Sequence, residues 1–188
     1  MESVTVFINE VIEIFRIAPI GQSIWLIAFL VSIYNFLFCK NKKFIFFTMI
    51  ASLIWGIHFH IIGLTAAALI NGVDVIKNIL ALKYERNKYL ASLFVIVYII
   101  IWFLTYNWYI SLIPTLNAVL GTFLVFFVRG IWLNLGFMVV VMLWGVYNFL
   151  WHSIGGFMTD ITLLFTWIIG VIRIMLEEKK AYTIKEEK

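Results

Sequence analysis

Seven predominantly apolar runs, each about 17–21 residues long, follow one another with little soluble chain between them; each can cross the ~30 Å hydrocarbon core of a bilayer as a helix. They cover about Ile20–Phe38, Phe44–Ile62, Leu64–Leu82, Tyr89–Thr105, Leu112–Val128, Ile131–Trp151 and Ile154–Ile174. None shows the two-residue alternation of a membrane β-strand, which excludes a barrel. Apolar residues make up 64% of the 188 and charged residues only 13%, too few to cover a water-facing surface. The sequence therefore predicts an all-α integral membrane protein, in contact with a lipid bilayer. The second and third runs meet at Gly63 and the sixth and seventh at Ser153, with a residue or two between them, so each pair must form a tight helical hairpin.

Charge placement predicts the topology. Lys40, Lys42 and Lys43 follow the first run; Lys83, Arg86 and Lys88 the third; Arg129 the fifth; and Arg173, Lys179, Lys180, Lys185 and Lys188 the seventh. With seven spans all of these fall on one side, while the other side carries only Arg16. The positive-inside rule then places the N-terminus outside and the C-terminus in the cytoplasm. The net charge of +4 is this juxtamembrane fringe and calls for no nucleic-acid partner. Ahead of the first run, Ser3–Ile17 gathers Asn9, Glu10, Glu13 and Arg16 on one helical side and apolar residues over most of the rest, the pattern of an interfacial amphipathic helix. The same acidic segment lacks the basic start of a cleavable signal peptide.

Two stretches, Trp55–Asn71 and Trp144–Asp160, repeat one pattern 89 residues apart. Trp55-Gly56, Ala66-Ala67 and Asn71 correspond to Trp144-Gly145, Gly155-Gly156 and Asp160, and each copy carries one polar group into an apolar segment. Extended without gaps, the offset lays span one on span five, two on six and three on seven, with Lys40 on Arg129 and Met49 on Met138, and leaves span four as a connector. The expected architecture is thus seven transmembrane helices in two parallel three-helix repeats plus a linker helix (3+1+3). Parallel-repeat transporters carry their substrate sites near the midplane between the halves. The segments are 1–19, amphipathic helix; 20–82, first repeat; 83–111, basic loop and linker helix; 112–176, second repeat; and 177–188, charged tail.

Several of these residues resemble a known family. Gln22–Leu30 in span one, His58–Gly63 before span three, Leu112-Ile113-Pro114 in span five, and Asn148-Phe149 with Ser153–Gly156 before span seven look like the YgjV-type bacterial inner membrane proteins. The resemblance runs from about Gln22 to Arg173 and implies a multi-pass protein of the bacterial inner membrane. It also implies kinship with the wider three-helix-repeat group of SWEET sugar carriers, PQ-loop transporters and nicotinamide riboside carriers. The chain departs from that group in having Gly21, not proline, before Gln22, and from the YgjV pattern in having Asp74 and Lys77 where Asn and Arg are expected. Transport is implied by this analogy; a substrate is not.

Polar groups inside the spans mark the candidate site. A rise of about 1.5 Å per residue from Leu64 puts Asn71 ~10 Å and Asp74 ~15 Å below the outer face, and Asp160 is comparably deep. An unpaired charge there costs ~3 to over 10 kcal/mol, so each must face a cavity, bind a proton or find a partner. Lys77, one turn from Asp74, is the expected ion-pair partner, and a purely structural pair is the competing reading. Asp160 has no such neighbour, since Leu163 and Thr166 occupy the positions equivalent to Asp74 and Lys77; it is the candidate for proton coupling. Asn71, Asp74, Asp160, Trp55 and Trp144 form the expected substrate site, with packing as the alternative for Asn71 and the tryptophans. His58, Tyr147 and Asn148, near the outer mouths of spans two and six, are the expected gate. His58, His60 and His152 make no metal-ligand spacing, Cys39 stands alone, and no nucleophile–base motif or phosphate loop occurs. The sequence therefore points away from an enzyme, a metal site or a cofactor, and leaves oligomeric state open. It points toward a secondary carrier or facilitator for a small polar metabolite, against the alternative of a non-transporting membrane interaction, receptor or regulatory protein whose buried polar residues are structural.

Overall fold

A computed structural model describes residues 19–105, 112–150 and 154–186. Within them the chain forms seven helices: α1 (Pro19–Phe38), α2 (Asn41–Ile61), α3 (Thr65–Lys83), α4 (Lys88–Leu104), α5 (Leu112–Phe127), α6 (Ile131–Leu150) and α7 (Ile154–Glu186). α1, α2, α3, α6 and the Phe157–Glu177 part of α7 are long and apolar enough to cross a membrane; α4 and α5 are shorter apolar helices. The amphipathic helix expected over 1–19 lies outside the described residues except for Pro19, as does the Ser153 turn.

Local chemistry accounts for the helix ends. Between α2 and α3 the chain turns at Gly63, whose φ of 81° is costly for any residue with a Cβ. Asn87 caps α4, its side-chain oxygen accepting from the backbone N–H of Tyr89 and Leu90 at 3.0 and 3.1 Å. Pro114 sits in the first turn of α5, where its missing N–H removes no helical bond. α7 continues well past Ile174, the end expected for its span. No Gly or Pro follows Gly170, and the Lys- and Glu-rich stretch that comes next favours helix, so the charged segment prolongs the same helix.

Neighbours in sequence pack as neighbours in space: α1 on α2, α2 on α3, α5 on α6 and α6 on α7. Two further contacts join these groups, α1 against α7 and α3 against α5, while α4 lies against α3 and α5. A shift of 89 residues turns the α1–α7 contact into the α5–α3 contact, so the two joining surfaces are built from counterpart helices. At the α1–α7 surface the backbones come so close that a Cβ on Gly170 would strike the carbonyl of Phe36. The core is apolar and aromatic, with Phe44, Ile45, Tyr98, Phe126 and Leu133 among its fully buried side chains. Large apolar side chains such as Leu104 and Trp132 stand exposed in number, the outer surface a lipid-immersed bundle presents.

The basic residues between helices gather at one end. Glu85 pairs with Lys42 at 2.9 Å and with Arg129 at 3.6 Å, and Glu177 with Lys40 at 3.7 Å. Asn41 and Gly130, again 89 residues apart, both adopt left-handed backbone, φ 54° and 66°, and the Gly130 N–H donates to Asn41 Oδ1 at 2.8 Å. The hydrogen bond from Lys42, aided by Arg129, holds the Glu85 carboxyl below its ordinary range.

Candidate functional site

The two hairpins carrying the repeated pattern are built alike. In the first, Gly56 of α2 lets α3 approach until a Cβ on it would lie 3.3 Å from the Cβ of Asn71; in the second, Gly145 of α6 stands in the same relation to Asp160 of α7, at 3.5 Å. Trp55 meets His58 edge to face at 5.6 Å between ring centres, and Trp144 meets Tyr147 in the same manner at 5.5 Å. Phe59 stacks on both tryptophans, at 5.6 Å on Trp55 and 6.0 Å on Trp144, so one aromatic column joins the hairpins. Small residues beside a large aromatic are what allow the close approach and fill the space next to it.

Beside that column lies a small cavity of ≈ 30 Å³, room for about one or two waters. Its wall draws on four helices: Thr48 from α2, Asp74 and Lys77 from α3, Asn117 and Gly121 from α5, and Trp144 from α6. Lys77, only 3% exposed, forms an ion pair with Asp74. Tyr98 of α4, fully buried, donates to the same carboxylate oxygen, Asp74 Oδ1, at 2.5 Å, and the Lys77 ammonium lies 5.6 Å from the centre of its ring. Desolvation makes an unpaired charge here expensive, and the three groups together form a neutral, hydrogen-bonded cluster. The polar walls are engaged elsewhere. Thr48 donates to the Phe44 carbonyl at 2.9 Å and accepts from Asn35 at 3.0 Å. With its amide oriented to satisfy both groups, Asn117 donates to the Val140 carbonyl at 3.1 Å and accepts from the Trp144 N–H at 3.3 Å, tying α5 to the backbone of α6.

Asp160 forms a second polar centre. It is buried, Asn148 donates to its Oδ2 at 2.7 Å, and none of the ion pairs among the described residues includes it. Its surroundings thus supply a neutral amide where Asp74 has a cation.

Of the residues the sequence singles out, Asp74, Lys77 and Trp144 share the cavity. Asn71 does not line it; its amide turns back to the Ala67 carbonyl at 2.9 Å and its Cβ faces Gly56. Asp160 and Asn148 bond to each other within the α6–α7 hairpin, away from the cavity wall. Trp55 donates to Ser32 at 3.4 Å and reaches Trp144 only through Phe59. His58 is buried and its Nδ1 bonds the Gly21 carbonyl at 2.9 Å, fastening the end of α2 to the start of α1. Among the described residues no group of three or more His, Cys, Asp or Glu is placed to hold a metal ion. Sequence reading missed Tyr98, Thr48 and Asn117. The signal for Asn117 was present, a lone amide in an apolar span. Tyr98 gave none, since a phenol in a connector helix looks like any other membrane aromatic.

Comparison with known proteins agrees with this picture at the level of class. A family model described as bacterial inner membrane protein, Imp-YgjV, matches residues 19–178. The chain is similar to the inner membrane protein YgjV of Escherichia coli (strain K12), 22% identical over 161 residues, spanning 86% of this chain and 87% of that one. No solved structure matches.

Proposed function

We propose that the chain, which belongs to the YgjV family of bacterial inner membrane proteins, works as a secondary carrier or facilitator for a small polar metabolite, with its site in the α2–α3–α5–α6 cavity. The observation that carries this reading is a buried charge cluster bordering a cavity whose wall comes from both sequence halves. Intramembrane ionisable groups mark solute and ion paths more often than they stabilise a bundle, because a purely structural role is served at lower desolvation cost by apolar packing.

In this reading α1–α3 and α5–α7 are two parallel repeats around the site and α4 is the linker that lends Tyr98, the 3+1+3 organisation of the SWEET and PQ-loop group. Counterpart contacts at Gly56–Asn71 and Gly145–Asp160, and at Asn41–Gly130, support it. The basic end of the bundle faces the cytoplasm by the positive-inside rule, with the N-terminus outside. Alternating access is a rocking of one half against the other, and the ≈ 30 Å³ cavity belongs to its closed, unloaded position. Asp160 is a subsidiary element, a buried carboxylate able to hold a proton in transit.

One observation favours the rival reading, a non-transporting interaction or regulatory protein: the half-buried Asp74 and the buried Asp160 already have hydrogen-bond partners and the cavity is small. Purified protein in proteoliposomes decides between them. A carrier gives saturable uptake of at least one labelled polar solute above protein-free vesicles, and Asn117→Leu, which fills the cavity wall, reduces it about tenfold. Vesicles that stay as tight as protein-free ones to a broad panel of solutes, with correctly folded protein present, would sink the carrier reading.

A further inference from the structure

We propose that the cavity selects a small organic anion, with Lys77 as its binding group and Asp74 as the counter-ion that the anion displaces; this rests on the carrier reading above. The argument is one of donor capacity. An ammonium has three N–H groups, and among the described residues the one hydrogen-bond acceptor of Lys77 is Asp74. Lys77 lines the cavity, and Gly121 leaves room beside it: a Cβ there would sit 3.5 Å from Lys77 Nζ. Thr48 and Asn117 are already committed to backbone and to Asn35, so the unused polar capacity around Lys77 is for an acceptor, not a donor.

The two members of the pair are not equally able to stand apart. Asp74 keeps the Tyr98 hydroxyl whatever Lys77 does, and its side chain retains 19% exposure against 4% for Lys77. When the pair opens, Lys77 is therefore the member left with an uncompensated buried charge, and an anionic solute meets that need while a cation adds to it. Charge then balances by one proton. The paired state, carboxylate with ammonium, takes up the anion and a proton and becomes a neutral Asp74 carboxyl, still bonded to Tyr98, beside an ammonium–anion pair. Entry is electroneutral with respect to the site. Tyr98 is the titratable group that faces the pair from α4, and the described wall from α2, α5 and α6 contributes no charged side chain. Phe137 and Trp144 give that wall an apolar surface, which suits a monocarboxylate with a short body.

The experiment uses full-length protein in proteoliposomes and three labelled probes, lactate, ribitol and choline. Lactate is expected to enter, and an inward proton gradient to raise its protein-dependent uptake about five- to tenfold over vesicles without the gradient, after subtraction of protein-free controls. Asp74→Asn removes the response to the gradient. Lys77→Arg keeps lactate uptake measurable and Lys77→Ala lowers it to the protein-free level. The doubly neutral Asp74→Asn/Lys77→Met chain strands no charge, so it separates loss of the binding group from loss of folding, and it carries no lactate. Uptake of ribitol or choline with lactate silent overturns the anion assignment and leaves the carrier reading standing. Silence of all three overturns the anion assignment, and the broad solute panel then decides the carrier reading. A gradient response lost in Asp160→Asn but kept in Asp74→Asn overturns the role of Asp74.

Discussion

Asp74 and Asp160 are both acidic side chains inside apolar helices, on α3 and on its counterpart α7, yet they are surrounded differently. Asp74 receives a cation and a phenol from two helices and stands at a cavity; Asp160 receives an amide from the neighbouring helix of its own hairpin and lines no cavity described above. The two do not stand at equivalent places: a shift of 89 residues lays Asp160 on Asn71 and Asp74 on Leu163, so the two hairpins carry their acidic groups at different points of the same pattern. A glycine faces a polar residue in both hairpins, Gly56 against Asn71 and Gly145 against Asp160, but the first hairpin carries its charge about one turn further along, at Asp74. One hairpin carries a compensated charge cluster and the other a carboxyl with no ionic partner among the described residues.

The largest test of this contrast is stability. Lys77→Ala leaves the half-buried Asp74 with Tyr98 but without its cation and is expected to cost about 3 kcal/mol, whereas Asp160→Asn keeps the geometry, replaces a carboxyl that has no ionic partner and is expected to change stability by less than about 1 kcal/mol. Thermal unfolding in detergent, with Asp74→Asn/Lys77→Met as the compensated control, reads both. Equal losses in the two single variants would erase the distinction between the centres.

A smaller effect sharpens it. Tyr98→Phe removes the hydroxyl donated to Asp74 and is expected to cost about 1.5–3 kcal/mol, because the acceptor is a carboxylate paired with a cation and Tyr98 itself is fully buried. The same unfolding assay applied to Asn148→Leu gives the matching number for Asp160. If Tyr98→Phe proves neutral, α4 contributes only surface to the cluster.

The smallest effect belongs to the basic end, where Lys42 and Arg129 hold Glu85 below its ordinary carboxylate range. A depressed folded-state value means stabilisation that is present above the unfolded value and lost as pH falls through the folded one, so this contribution begins to fade once pH drops below the ordinary glutamate value of about 4.3. Glu85 is exposed enough for water to screen both pairs, and Glu85→Gln is expected to cost at most about 1 kcal/mol at neutral pH and nothing in acid. Parallel pH–stability curves for the wild type and Glu85→Gln would remove Glu85 from the account.

Much of the molecule was legible before any coordinates. The long apolar runs announce helices because an unsatisfied backbone group in lipid is too costly to tolerate, and the runs at Ile131 and Leu112 begin where α6 and α5 begin. The short joints near Gly63 and Ser153 require the α2–α3 and α6–α7 hairpins, and the spacing of Trp55 and Trp144 marks their matching positions. The proximity of Asp74 and Lys77 follows from helical periodicity alone.

The membership of the cavity was decided only by the tertiary structure. In water a helix reveals its buried face by alternating polar and apolar stripes; in lipid the outward face is apolar as well, so the sequence carries almost no record of how each helix is rotated. Rotation and packing bring Tyr98 from a connector helix to Asp74, turn Asn117 onto the backbone of α6, and leave Asn71 and Asp160 facing glycines inside their hairpins. The sequence determined that this chain lives in a membrane as helices with a few polar groups it must protect. Only the packing of those helices determined which of the groups share a space, because that choice depends on contacts between segments far apart in the chain.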